Sequence, residues 1–330
     1  VKLFLQISPH LRNPPRARLH ARDTRGIYKT MLDAVHDFFQ ALEPYVEAPA
    51  RAIAALYPTP NRVLIDQFFI YFLLSLCFCL CMFITSRVFT HAIVGKAYDK
   101  LLPSDRRTWH TNLVTFWPAF AVTAFALPAI VEFDVSMTSF ASNVSPYTVK
   151  ACGLAIGYMT WDLAVMLLNW ADQCLAYGGK GAMYLFIVHH LLSIALWPYA
   201  LTRGLCVYHI NWFLVSEATN FNMSLRWYLV KLDKTASKAY LLNGLAWIPL
   251  FMGIRVVVIP KLFMLYFHGD WSVFTSVEYW LARTTLPIPS FLNVYWARQI
   301  VEGAVQHLIG ESAPAKAAVT KSKSKSKKKN

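Results

Sequence analysis

The sequence predicts an all-α integral membrane protein of about seven transmembrane helices. Three observations carry this. The 330 residues are 56% hydrophobic and only 15% charged, too few charges to cover a water-soluble domain of this size. Apolar stretches recur along the chain, each close to the ~20 residues that cross a hydrocarbon core. The net charge of +14 gathers at the ends: residues 1–30 carry +6, Lys316 to Asn330 carry +7, and the stretch between them only +1. Basicity placed this way concerns targeting and membrane surfaces, and no nucleic-acid partner is expected.

Segment 1–30 begins with Val, is rich in Arg and poor in acids, and precedes the first methionine, Met31. It reads as an organellar presequence or as translated upstream message, and no structure is assigned to it. Residues 31–65 form an amphipathic segment in which Pro44, Pro49, Pro58 and Pro60 are expected to prevent any long helix. The membrane domain is expected over 66–305, with spans near 68–92, 110–131, 149–169, 182–201, 207–229, 239–265 and 273–300. Polar residues and prolines interrupt the fifth and the seventh. Residues 306–330 form a lysine-rich tail too polar to build a core. Cys77, Cys79 and Cys81 crowd the first span without sharing a helix face, and no His or acid stands at a ligand spacing, so they read as small apolar filler. No metal site is expected.

Orientation follows from the short loops. Loop 93–109 carries Lys96, Lys100, Arg106 and Arg107, and loop 230–238 carries Lys231, Lys234 and Lys238. Loop 132–148 carries Glu132 and Asp134 and no basic residue. Seven spans put both basic loops and the tail in the cytosol. Asn143-Val144-Ser145 is a glycosylation sequon in the opposite loop, followed by Pro146. Lys327-Lys328-Lys329-Asn330 fits the dilysine pattern read by a retrieval coat, which places the protein in the endoplasmic reticulum; the alternative is a polybasic tail drawn to anionic lipid.

An ionisable group at bilayer depth costs at least ~2.5 kcal/mol, so its presence asks for a reason. The third span holds Asp162 and the fourth holds His189 and His190. The fifth holds His209, Asn211, Glu217, Asn220, Asn222 and Arg226, the sixth Arg255, and the seventh Asn293. Such groups face a bundle interior, which predicts a shared polar centre. Consecutive helical residues sit about 100° apart, so at most one of the two histidines points straight into a cavity and the other serves a helix contact. Imidazole is an acid, base or nucleophile near neutral pH, and Asp162 or Glu217 can set its tautomer. The alternative is an interhelical network that only locks the bundle. Arg255 is expected to balance Glu217 or Asp162, or to meet an anionic head group. The sequence holds no H-E-x-x-H, phosphate-binding loop or G-x-S-x-G, and its histidines lack the paired spacing of membrane di-iron enzymes.

The run from Asp162 through His189-His190-Leu191-Leu192-Ser193, Ser216-Glu217 and Leu225-Arg226-Trp227, then the Arg255 helix and Phe291 to Gly303, resembles the TLC-domain family over roughly residues 66–305. It looks most similar to the TLC domain-containing transmembrane proteins. The resemblance implies a barrel of six helices around a polar, lipid-accessible cavity. In ceramide synthases of that family the His pair serves N-acylation by acyl-CoA and is followed by two Asp residues three apart. By spacing those acids fall on Glu217 and Asn220, so one acid becomes an amide here.

The resemblance therefore implies a catalytic centre of His189, His190, Glu217 and Asp162, with Arg255 and Asn220 as contacts for a bound group. Acyl-CoA is the expected co-substrate, no cofactor is expected to be bound, and membrane lipids and acyl chains are the expected partners. Arg106, Arg107, Lys231 and Lys234 would meet the phosphates of acyl-CoA, or serve as topology signals alone. Two further readings stand beside acyl transfer: a non-enzymatic regulator of membrane composition that binds lipid in the same cavity, and a helper in membrane-protein insertion or cargo export.

Overall fold

The computed structural model describes residues 16–59, 61–131 and 139–308. The described residues form helices, with no strand beyond two isolated bridges. In chain order these are α1 (Arg16–Ala55), α2 (Arg62–Val94), α3 (Lys96–Asp99), α4 (Pro103–Val114), α5 (Phe116–Val131), α6 (Pro146–Leu168) and α7 (Trp170–Ala176). After them come α8 (Lys180–Thr202), α9 (Val207–Val215), α10 (Asn220–Lys231), α11 (Lys238–Phe251), α12 (Ile259–His268), α13 (Ser276–Thr285) and α14 (Pro287–Leu308). Starts follow local chemistry. Asn61 accepts the Leu64 N–H at 3.2 Å ahead of α2, Ser145 accepts the Tyr147 N–H ahead of Pro146, and Thr275 with Glu278 builds a reciprocal cap on α13.

The chain is an all-α membrane protein. Five helical stretches are long and apolar enough to cross a bilayer: Arg62–Val94, Pro103–Val131, Pro146–Leu168, Lys180–Thr202 and Lys238–His268. They answer to the first, second, third, fourth and sixth expected spans. The fifth is broken, because α9 and α10 are joined by a 3-10 turn over Ser216–Thr219. The seventh, expected over 273–300, is corrected: α13 is a separate short helix, and the long helix starts at Pro287, where Pro fits the first turn of a new helix but not the interior of an old one.

The N-terminal region also departs from expectation. A single helix runs from Arg16 to Ala55 through Pro44 and Pro49. An interior proline costs about 3 kcal/mol. Here both prolines lie on the exposed face, while Val35, Phe39, Leu42, Val46, Ala50 and Ala54 form a stripe at helical spacing that packs against the rest of the chain. Burial of that stripe offsets the two lost backbone hydrogen bonds. Phe39 packs among Tyr71, Trp117 and Phe125, and Glu43 accepts the Tyr71 hydroxyl at 2.7 Å and lies 3.6 Å from Lys150. Glu132, Asp134 and the lysine tail lie outside the described residues.

The closest backbone approach joins α2 to α6. A Cβ built on Gly153 would stand 2.6 Å from the Phe68 carbonyl oxygen, and one on Gly157 would stand 2.5 Å from that of Phe72. Ser75 donates to the Leu154 carbonyl at 2.7 Å across the same seam. Lipid tails offer no hydrophobic drive for helix association, so small residues that permit close dispersion contact supply it. Gly157→Leu is expected to force the two helices apart and lower detergent stability by at least ~1–3 kcal/mol. Thermal unfolding of the purified protein checks this, and an unchanged melting temperature would refute it. The three cysteines of α2 divide as filler should, with Cys79 buried and Cys77 and Cys81 exposed.

Contacts between connections sort the two ends of the bundle. At one end Arg107 forks onto Asp172 and Lys231 meets Asp105 at 2.8 Å. At the other, Cys206 N–H donates to the Phe140 carbonyl and Ser142 N–H to that of Gly204, both at 2.9 Å. Gly204 holds φ +64°, and a Cβ there would lie 2.7 Å from the Ser142 carbonyl oxygen. At this second end Glu278 takes hydrogen bonds from Tyr199 at 2.7 Å, Arg203 at 2.8 Å and the Thr275 N–H at 2.8 Å. Burial alone would raise the Glu278 carboxyl, but these donors outweigh it and hold it at about 2.

Candidate functional site

A cavity of about 630 Å³ runs inside the bundle. Six helical rods line it: α4, α6 with α7, α8, α9 with α10, α11 with the turn after it, and α14. Neither α1 nor α2 contributes, so that pair buttresses the container from outside. Asp162, His189, His190, Glu217, Asn220, Arg255 and Asn293 all face this one space. The polar groups expected to share a centre are brought together.

His190 sits mid-helix on α8 and is buried. Its Nδ1 lies 2.7 Å from the Phe186 carbonyl oxygen one turn earlier, and its Nε2 lies 3.1 Å from Asp162 Oδ2 on α6. Both ring nitrogens therefore face acceptors. With neither nitrogen free, His190 is the histidine in the helix contact. His189 is the other: its ring stands 5.5 Å from that of His190, and it lines both the large cavity and a smaller apolar one of about 90 Å³ that continues toward Glu278.

Two irregular turns build the opposite wall. In the 3-10 turn the Asn220 N–H reaches Glu217, so the Ser216 carbonyl loses its usual helical partner. After Pro249 the sixth span widens into a π turn over Met252–Val256, which carries Arg255. Arg255 donates to the Ser216 carbonyl at 2.8 Å, Thr219 Oγ1 at 2.8 Å, Asn293 Oδ1 at 3.1 Å and Asn220 Oδ1 at 3.3 Å. Its guanidinium lies over Phe251 and Trp296. Among the described residues Arg255 makes no salt bridge within 4 Å; neutral oxygens hold its guanidinium, and its charge acts on Glu217 at longer range. Glu217 takes a hydrogen bond from Asn220 Nδ2 at 2.7 Å.

The remaining polar residues of the fifth span divide. His209 stacks with Phe140 away from the cavity, Asn211 accepts from Thr148 at 2.8 Å, and Asn222 donates to Asn243 at 2.9 Å, tying α10 to α11. These three lock the bundle. Arg226 joins the cavity wall. Of the basic residues expected to meet phosphates, Arg107 and Lys231 are already paired with acids, and Arg107 holds the Asp172 carboxyl below the usual carboxylate range. Sequence reasoning missed Thr219, Tyr158, Tyr177 and Trp296 on the wall. Only the Pro249–Gly253–Pro260 spacing hinted at an irregular sixth span.

Residues 108–302 match the TLC domain family. The chain belongs to the TLC-domain family. The matched stretch of the TLC domain begins where the cavity wall begins, at Thr108, and ends near its last lining residue, Ala304. TLC domain-containing protein 4-B of Danio rerio is 26% identical over 231 residues, covering 67% of this chain and 83% of that protein. TLC domain-containing protein 4 of Xenopus tropicalis is 25% identical over 67% of this chain and 83% of its own length. The Homo sapiens protein of the same name is 24% identical over 65% and 81%. No solved structure matches the chain. The TLC domain thus supplies the six rods of the container, and membership points to a lipid-related role in a membrane.

Proposed function

We propose that the protein acts in lipid metabolism of the endoplasmic reticulum, transferring an acyl group from acyl-CoA to an amine or hydroxyl acceptor inside the TLC cavity. The observation that carries this reading is the meeting of His190 with Asp162 from a separate rod at 3.1 Å, with His189 beside them. In the reaction the acceptor N–H or O–H attacks the thioester carbonyl and the carbon–sulfur bond breaks. The acceptor's proton passes through His189 to the leaving thiolate, giving the acylated acceptor and free thiol. His190, held by Phe186 and Asp162, positions His189 and keeps a proton near the developing charge. Lipid profiles of a deletion strain rescued by wild type or by His189→Ala test the reading: the variant should fail to restore what wild type restores, and restoration by it would refute acyl transfer.

A lipid-binding regulator is the second reading. It is favoured by Asn220, whose amide bridges Glu217 and Arg255 where the resemblance to synthases would have a second acid. The basic end of the bundle, with Lys231 and Arg107, is assigned to the cytosol. In sealed microsomes an epitope inserted after Lys234 should be cleaved by added protease and one after Ser142 protected. The opposite pattern would invert the protein.

A further inference from the structure

Two basic residues with guanidinium groups line the cavity, Arg255 and Arg226. Arg255 spends its donors on the protein itself. Arg226 does not. Its guanidinium stacks over the Tyr240 ring at 4.5 Å, and among the described residues no carboxylate lies within ion-pairing distance of it. The stacked face is covered, and the residue lines the cavity. Of its neighbours in charge at this end, Lys231 and Arg107 each hold an acid. Arg226 precedes Lys231, the last residue of α10, by five positions, about 8 Å along the helix. Glu217 lies nine positions earlier on the same rod, at least about 13 Å farther in. The amide-bearing Asn112 of α4 lines the same cavity.

We propose that Arg226, with Asn112, forms a head-group site for an amphiphile bearing a phosphate, whose tail then runs down the cavity toward the His pair. The proposal rests on the reading of the cavity as a lipid site and names the chemistry admitted at its mouth. A guanidinium fixed on an aromatic face offers two parallel donors to phosphate oxygens, a contact that a neutral head group cannot make. The phosphate can arrive on a membrane lipid or on a soluble thioester.

The experiment measures binding to the purified full chain in detergent with four probes: oleoyl-lysophosphatidic acid, monooleoylglycerol, oleoyl-CoA and free CoA. Wild type should bind lysophosphatidic acid, oleoyl-CoA or both at least roughly tenfold more tightly than the neutral glycerol ester of the same chain. Preference for lysophosphatidic acid assigns the site to membrane lipid, and preference for oleoyl-CoA assigns it to the soluble source. Arg226→Gln should erase the preference while leaving monooleoylglycerol binding unchanged, which also reports that the variant is folded. Arg226→Lys should restore part of the preference. Equal binding of charged and neutral amphiphiles by wild type, or a preference retained in Arg226→Gln, would overturn the proposal and leave the cavity reading standing. Binding of free CoA as tightly as oleoyl-CoA would also overturn it, since the head would then bind without an amphiphile. Failure of every acyl probe to bind would instead strike the lipid cavity itself, and acyl transfer can fail in the lipid profiles while these affinities hold.

Discussion

His189→Ala and Glu217→Gln abolish the lipid phenotype with nearly normal folding, and this is the largest functional effect expected of the protein. The two costs are unequal. His189 stands at the junction of two cavities, where water or lipid can fill the space a truncation leaves. A side chain in such a place is removed at little cost to stability, whereas one that satisfies a buried partner leaves about 1–3 kcal/mol of unmet hydrogen bonding behind. Glu217→Gln keeps the volume and removes only the charge, so its loss of function would point to charge or proton chemistry. His190→Ala separates the roles further, because it strands the Asp162 carboxylate that the His190 ring meets at 3.1 Å. It should lose function and also melt earlier than wild type. Lipid profiles paired with detergent melting temperatures check all three variants. Normal profiles from His189→Ala and Glu217→Gln would leave lipid binding without chemistry.

Arg255→Ala should do the reverse and remove the folded protein. Four oxygens on two other rods accept from this one guanidinium: the Ser216 carbonyl, Thr219, Asn220 and Asn293. Loss of such a hub is expected to cost at least ~3 kcal/mol. Arg255→Lys should recover little of it, because an ammonium cannot span the fork from Ser216 to Asn293. Size-exclusion profiles and melting of detergent-solubilised variants measure this. A monodisperse, normally stable Arg255→Ala would move Arg255 from the frame of the site to its chemistry.

The contrast between these two residues marks how far the sequence could be read. That Asp162, the histidines, Glu217, Arg255 and Asn293 share a centre followed from the cost of placing each at bilayer depth. Which histidine serves the helix contact did not, because adjacent helical positions differ only in rotation, and rotation is settled by which face packs on Asp162. Which atoms would hold Arg255 was not legible either, because the broken turn at Ser216 offers backbone and side-chain oxygens that no sequence spacing announces. The π turn is a local backbone departure inside an apolar run, where hydropathy gives no signal, whereas the break falls where polar residues already interrupted the fifth span. The helix through Pro44 and Pro49 was hidden for another reason: local rules for proline count the lost hydrogen bond but not the stripe that α1 buries.

The cavity wall has one more consequence. Leu241 and Leu245 of α11 and Tyr295 of α14 line the cavity and stay 55%, 60% and 48% exposed, so the wall along α11 and α14 presents apolar side chains. A hydrocarbon tail passing there leaves one oily medium for another. It gains little of the ~0.8 kcal/mol per methylene that transfer out of water would provide. Under the proposed lipid reading, partition into the cavity would be almost indifferent to tail length, and the selection among amphiphiles would fall to their polar ends.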